Sequence, residues 1–244
     1  MAGSSPTMTS RGYAHKELRM NEPRWALVVG ASRGLGLGLA AELQCRGWNV
    51  VGTVRDAAGA RRLEKLAGKP DGEVRIETLD INDDAQIAAL RRRLDGLEFD
   101  LVFVNAGIAP KGRSDAASAT REEAAAVFMT NAVSPVRIAH ALLDRVKSGP
   151  GIVAFMSSGL GSVANKTDSY SELYSASKAA LNSLSRSLAA SLGGRRVTVL
   201  AVAPGWVRTD MGGQGAPLSI EESVRGIVDV LESRAGTLRH GFVD

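Results

Sequence analysis

The sequence predicts an α/β fold in which a doubly wound parallel sheet carries helices on both faces, and three observations point to it. Short, wholly apolar runs recur along the chain, as in Trp25-Ala-Leu-Val-Val, the pattern of strands covered on both sides. Helical patterns alternate with these runs, the spacing expected of parallel strands joined by crossover helices. The first run opens directly into Gly30-Ala-Ser-Arg-Gly-Leu-Gly36, a glycine loop at the start of a helix.

The 244 residues suit one large α/β domain or two small ones, and 44% hydrophobic content allows a sizeable core. Residues 1–23 lack periodicity and carry Ser, Gly and Pro, so they read as a disordered leader, leaving 24–244 as one domain. No apolar run approaches bilayer length and the first twenty residues hold no signal-peptide core, so a cytoplasmic protein without a membrane partner is expected. Cys45, the single cysteine, excludes an internal disulfide and reads as a core position on the apolar side of a helix. The net charge of +4 is scattered, and its one tight run, Arg91 to Arg93, reads as a solvated helix face; nucleic acid is not an expected partner.

Strand, glycine loop, helix is the context in which such a loop binds phosphate. Absent side chains admit the phosphates to the backbone, and the helix N-terminus offers free N–H groups and partial positive charge. Leu35, Leu39, Ala40 and Leu43 continue the helix toward Gly47. The second strand, Asn49 to Val54, stops at Arg55, with Arg33 inside the loop as a second cation. Arginine here suits a 2′-phosphate, hence NADP(H) over NAD(H), although Asp56 could capture Arg55 as a surface pair. A helix over 57–67 leads to a third strand, Val74 to Leu79, and then to Asp80-Ile81, where an acid could accept from an adenine amino group or Asn82 or Asp83 could cap the next helix. The fourth strand, Asp100 to Val104, exits into Asn105-Ala106-Gly107, with Asn105 placed to pin neighbouring strands.

A long helix is predicted over 120–147. Pro135 lacks an N–H, so the carbonyl of Asn131 loses its helical partner, giving either a kink that holds a water or a simple bend. His140 has no acid at a helpful spacing and reads as structural. The stretch from Gly151 to Lys178 then runs from an apolar strand through Ser157-Ser158 into a polar loop and a helix. Tyr174 and Lys178, four apart, share a helix face, and Ser158 stands where a buried strand would release its chain. A hydroxyl, a phenol and an ammonium can converge there on one oxygen. On the same helix Leu181, Leu184, Leu188 and Leu192 form an apolar stripe, while Ala176, Ala180, Ser183 and Ser187 give a small-residue face suited to a homodimer. A sixth strand, Arg196 to Val202, ends at Pro204-Gly205. The glycine-bearing loop Met211 to Pro217 is expected to be a mobile lid, and a helix over 219–234 and a short strand close the chain.

From Trp25 to Asp244 the sequence resembles the short-chain dehydrogenase/reductase family. The resemblance rests on Gly30-x-x-x-Gly34-x-Gly36, Asn105-Ala-Gly107, the ordered set Asn131, Ser158, Tyr174 and Lys178, and Pro204-Gly205. Within the family, Ser157-Ser-Gly-Leu-Gly-Ser and Tyr174-Ser-Ala-Ser-Lys look most like the C-factor and Sniffer-like carbonyl reductases. It implies a Rossmann-type sheet of about seven strands in the order 3-2-1-4-5-6-7. It also implies catalysis by Asn131, Ser158, Tyr174 and Lys178 without a metal. Cofactor contacts would come from Gly30, Ser32, Arg33, Gly34, Leu35, Gly36, Arg55, Asp80, Ile81, Asn105, Ala106, Gly107, Tyr174, Lys178, Pro204, Gly205, Val207 and Thr209. Two departures stand out: Val29 replaces a threonine whose hydroxyl helps order the loop, and three extra residues lengthen the connection between Ser158 and Tyr174. Ser157 is a rival for the catalytic hydroxyl.

The implied reaction is hydride transfer from NADPH to an aldehyde or ketone carbonyl, with Tyr174 giving the proton. Lowering a tyrosine from near 10 to about 7 needs roughly 4 kcal/mol of phenolate stabilisation, which Lys178 is expected to supply in large part. The substrate end is expected from Ala109 to Ser114, Leu160 to Leu173 and Trp206 to Pro217, whose apolar members suit a small hydrophobic or aromatic carbonyl compound. A signalling or scaffold protein that binds NADPH without turnover is the alternative.

Overall fold

Along β1 (Trp25–Val29) successive side chains point to opposite faces, and both faces are covered. Ala26 and Val28 enter one hydrophobic cluster, Leu27 and Val29 another. That explains the unbroken apolar run: each neighbour in a strand packs into a different core. The computed structural model describes residues 23–67, 71–110, 115–237 and 239–244; the leader expected over 1–23 lies outside them apart from Pro23.

The remaining elements follow in alternation. They are α1 (Gly34–Cys45), β2 (Asn49–Val54), α2 (Ala57–Ala67), β3 (Val74–Thr78), α3 (Asp84–Arg93), β4 (Leu101–Val104), α4 (Arg121–Phe128) and α5 (Ser134–Leu142). After these come β5 (Ile152–Met156), α6 (Glu172–Ser191), β6 (Thr198–Val202), α7 (Ile220–Arg234) and β7 (His240–Val243). All seven strands are parallel, in the order β3-β2-β1-β4-β5-β6-β7, as the sequence predicts. One cluster joins β1, β4 and β5 to α3, α5 and α6; the other joins them to α1, α2 and α7. The chain leaves β1 toward one face and β4 toward the other, so a crevice opens above their carboxyl ends.

The long helix is interrupted. Between α4 and α5, Met129–Val133 forms a π turn in which the Ser134 N–H reaches back to the Met129 carbonyl. Pro135 then falls in the first turn of α5, where a missing N–H costs least. The kink expected from Pro135 is thus a π bulge. Arg121–Arg145 as a whole is long and apolar enough to cross a membrane, which the reading of the sequence did not expect. Its apolar side is turned inward: Val127, Ala132, Val136, Ile138, Ala139 and Leu142 are all buried.

One further expectation is corrected. Cys45 is exposed, because the buried seam of α1 runs through Leu39, Ala40 and Leu43, and two positions beyond Leu43 lies on the opposite side. In the Met211 to Pro217 loop, Arg208 donates to the carbonyls of Ala216 (3.0 Å) and Pro217 (2.6 Å), and the indole N–H of Trp206 donates to Gly212 (2.8 Å). His140 is exposed. Arg91 pairs with Asp144 and Arg93 with Glu77, so two members of the basic run have acidic partners.

Candidate active site

The glycine loop is shaped by contacts that only glycine permits. A Cβ on Gly36 would stand 2.0 Å from the Gly30 carbonyl oxygen and 2.5 Å from Asn105 Nδ2, and Gly30 itself adopts φ 86°. Asn105 pins the loop, donating from Nδ2 to the Gly30 carbonyl at 2.8 Å. On the other side the Gly30 N–H donates to Thr53 Oγ1 at 3.0 Å. Thr53 is buried in β2, and its hydroxyl orders the loop where Val29 brings none. Beyond the loop, α1 starts at Arg33 with no side-chain cap, leaving its first N–H groups for a ligand.

A cleft of about 500 Å³ opens above the carboxyl ends of the strands. Of the residues expected to bind cofactor, Gly30, Ser32, Arg33, Gly34, Leu35, Arg55, Asp80, Ile81, Asn105, Ala106, Gly107, Tyr174, Lys178, Pro204, Gly205, Val207 and Thr209 line it. Gly36 does not; it serves from behind the loop. Asp56 accepts from the Gly59 N–H at 2.7 Å as a helix cap, and Arg55 has no ion pair among the described residues, so the feared capture does not occur. Arg33 pairs instead with Asp210 from the loop after β6. Asp83 caps α3, and Asp80 accepts from the Asn82 N–H at 2.9 Å.

Ser158, Tyr174 and Lys178 meet in this cleft. Ser157 also lines this cleft, but it is buried and its hydroxyl donates to Asn182 Oδ1 at 2.6 Å. Lys178 is only 3% exposed; its Nζ donates to the Met156 carbonyl at 2.7 Å and lies 5.6 Å from the centre of the Tyr174 ring. Burial lowers the pKa of Lys178 to about 8. Burial also raises the Tyr174 phenol above its ordinary value, with the Ser158 hydroxyl pulling the other way. This corrects the expectation of a phenol acidified by its lysine. The ammonium, turned to Met156, does not offset the loss of water around the phenol.

Asn131 does not line the cleft. Its side chain is fully buried, accepting from the Ile108 N–H (2.8 Å) and donating to the Ile108 carbonyl (2.8 Å) and to Ser177 Oγ (3.0 Å). It therefore fastens the loop after β4 to α6. Of the expected substrate end, Ala109, Leu160, Tyr170, Trp206, Met211 and Gly212 line the cleft; residues 111–114 lie outside the described residues. Reading the sequence missed Thr53, Asn82, Thr130, Ile108 and Met156 in the lining, and Arg62, whose Nη1 donates to the Ser32 carbonyl at 3.0 Å. Thr53 had a signal, a hydroxyl inside an otherwise apolar strand; Arg62 had none, since its reach depends on how α2 packs.

A glycine loop at a helix start, opening above the switch point of a parallel sheet beside Ser, Tyr and Lys, defines a dinucleotide-binding α/β protein with an acid–base site. Residues 30–227 match the family model described as enoyl-(acyl carrier protein) reductase. The chain belongs to the short-chain dehydrogenase/reductase family, a family of oxidoreductases. It is similar to a short-chain dehydrogenase/reductase from Burkholderia multivorans solved with bound NADP, at 44% identity and TM-score 0.86, covering 91% of this chain and 96% of that one. A carbonyl reductase from Pseudomonas aeruginosa PAO1 shows 41% identity and TM-score 0.83 over the same shares. The carbonyl reductase Sniffer of D. melanogaster shows 32% identity and TM-score 0.77, again over 91% and 96%.

Proposed function

We propose that the protein is an NADP(H)-dependent reductase of aldehyde or ketone carbonyls in which Tyr174 is the proton donor. The observation that carries this reading is that Tyr174, Ser158 and Lys178 share one cleft with the glycine loop and Arg55. The Burkholderia neighbour with bound NADP and the Pseudomonas carbonyl reductase support the choice of cofactor and reaction.

The residues present suit the cofactor. The uncapped start of α1 and the loop N–H groups would hold its pyrophosphate, Arg55 and Arg33 its 2′-phosphate, and Lys178 a ribose hydroxyl. Bound NADPH would supply the hydride. Ser158 would orient the carbonyl oxygen and Tyr174 would protonate it as negative charge develops. A phenol held above its ordinary pKa is neutral at pH 7, so Tyr174 carries the proton that reduction needs. Lys178, at about 8, is still mostly an ammonium at pH 7.

The test is NADPH consumption over a panel of aldehydes and ketones, with Tyr174→Phe alongside. Wild-type turnover that Tyr174→Phe abolishes while keeping NADPH affinity supports the reading; cofactor binding without any turnover would favour a scaffold protein of the same fold. The exposed Ala176, Ser183 and Ser187 on α6 support a homodimer, which scattering mass in solution checks.

A further inference from the structure

Large apolar side chains are exposed in a biased way. Among the described residues they are Val163, Tyr170, Trp206, Met211 and Phe242, and three of them, Tyr170, Trp206 and Met211, line the cleft that holds Tyr174. Tyr170 is 68% exposed and Trp206 60%. Apolar surface left open at the rim of a cavity marks where a ligand covers it. Trp206 has its N–H tied to the Gly212 carbonyl, so what it offers a ligand is apolar surface.

Tyr170 sits in the lengthened connection between Ser158 and Tyr174, and that connection is built around one ion pair. Lys166 Nζ donates to Asp168 Oδ1 at 2.9 Å, to the Tyr170 carbonyl at 2.5 Å and to Ser175 Oγ at 3.4 Å. The Tyr170 N–H donates to the same Asp168 Oδ1 at 2.9 Å. Both backbone groups of Tyr170 are thus held, one by each partner of the pair, and Ser175 ties the assembly to the first turn of α6. Ser171 follows at φ 51°, the one non-glycine with positive φ among the described residues. That left-handed residue turns the chain from the Tyr170 rim straight into the helix that carries Tyr174. The Tyr170 hydroxyl has no hydrogen-bond partner among the described residues, so the ring rather than the hydroxyl is what the rim presents.

We propose that Tyr170 is a specificity-determining residue whose ring walls the outer substrate end and selects planar aromatic aldehydes and ketones, with Lys166 as its positioning residue. The proposal deepens the reductase reading and rests on it. A flat ring entering between the apolar surfaces of Tyr170 and Trp206 gains stacking that a short alkyl chain does not.

The experiment compares benzaldehyde with butanal under NADPH in wild type, Tyr170→Ala, Tyr170→Phe, Lys166→Met and Lys166→Arg, with NADPH affinity read separately by fluorescence. Tyr170→Ala is expected to lower the ratio of kcat/KM for benzaldehyde over butanal about tenfold, through KM rather than kcat. Tyr170→Phe should keep the wild-type ratio. Lys166→Met should lower it in the same sense by about threefold and Lys166→Arg restore it, all with unchanged NADPH affinity. A ratio that Tyr170→Ala leaves within twofold of wild type overturns the proposal while the reductase reading stands. Should wild type reduce neither carbonyl, the reductase reading falls, and calorimetric binding of benzyl alcohol to the NADP-loaded protein decides instead. Binding about tenfold weaker in Tyr170→Ala then supports the wall; equal binding, or none by wild type, overturns it.

Discussion

Lys178 shows how function is held against stability at the level of one side chain. Its folded-state pKa of about 8 lies below the ordinary lysine value of 10.5, so between these the unfolded chain binds more protons than the native one. The penalty for burying the ammonium is full below pH 8 and is relieved as pH rises toward 10.5. Lys178→Met is therefore expected to abolish activity yet raise stability at pH 7 by roughly 2–3 kcal/mol, with a smaller gain at pH 10, measured by urea unfolding at both. The same titration gives a rate prediction. Reduction should hold steady below pH 7.5 and fall as pH rises through about 8, where Lys178 loses its charge, while the raised Tyr174 keeps its proton throughout. A pH profile of kcat/KM for wild type checks it; an unchanged rate to pH 10 would contradict it. Arg55→Ala, which removes a cation from the cleft, should weaken NADPH binding about tenfold and NADH binding little, measured as thermal shifts with each cofactor.

Among the elements, the joint between β1, β2 and α1 bears most on the cofactor. Thr53 in β2 accepts from Gly30, and Asn105 after β4 donates to it, so the glycine loop is clasped by its two flanking strands. Thr53→Val keeps the volume and removes the acceptor, leaving a part-buried N–H unpaired at about 1 kcal/mol. NADPH affinity should drop roughly tenfold or more, with Thr53→Ser near wild type, by fluorescence titration. The clasp also shows where the sequence is readable and where it is not. Gly30, Gly34, Gly36 and the Tyr174–Lys178 pair are legible because their chemistry depends on local spacing, which a helix turn or a tight loop fixes. Thr53, Arg62 and the buried role of the Asn131 side chain depend on distant elements meeting, and no local pattern encodes that. The direction of the Tyr174 shift is not legible for the same reason: spacing places Lys178 beside the phenol but says nothing of the Met156 carbonyl that engages it or of the water that burial removes.

Over the whole molecule, two cores share one sheet. Phe103 belongs to one and Phe155 to the other, yet they lie in β4 and β5, which are hydrogen-bonded neighbours. Phe103→Ala and Phe155→Ala should each cost about 3–5 kcal/mol, and the tryptophan fluorescence and circular dichroism transitions should coincide in both variants. Separate transitions would mean that the two layers melt independently. The alternation of apolar runs with helical patterns made this architecture legible, since β-strand and α-helix periods differ and a parallel sheet demands both. The uniform strand direction places the whole reaction cleft at one rim of the sheet. Cys45 closes α1 on the way back to the start of β2, at the opposite rim, and it is exposed. The sole thiol of the chain is therefore a ready attachment point for a fluorophore or a solid support, far from any entering nucleotide and needing no engineering.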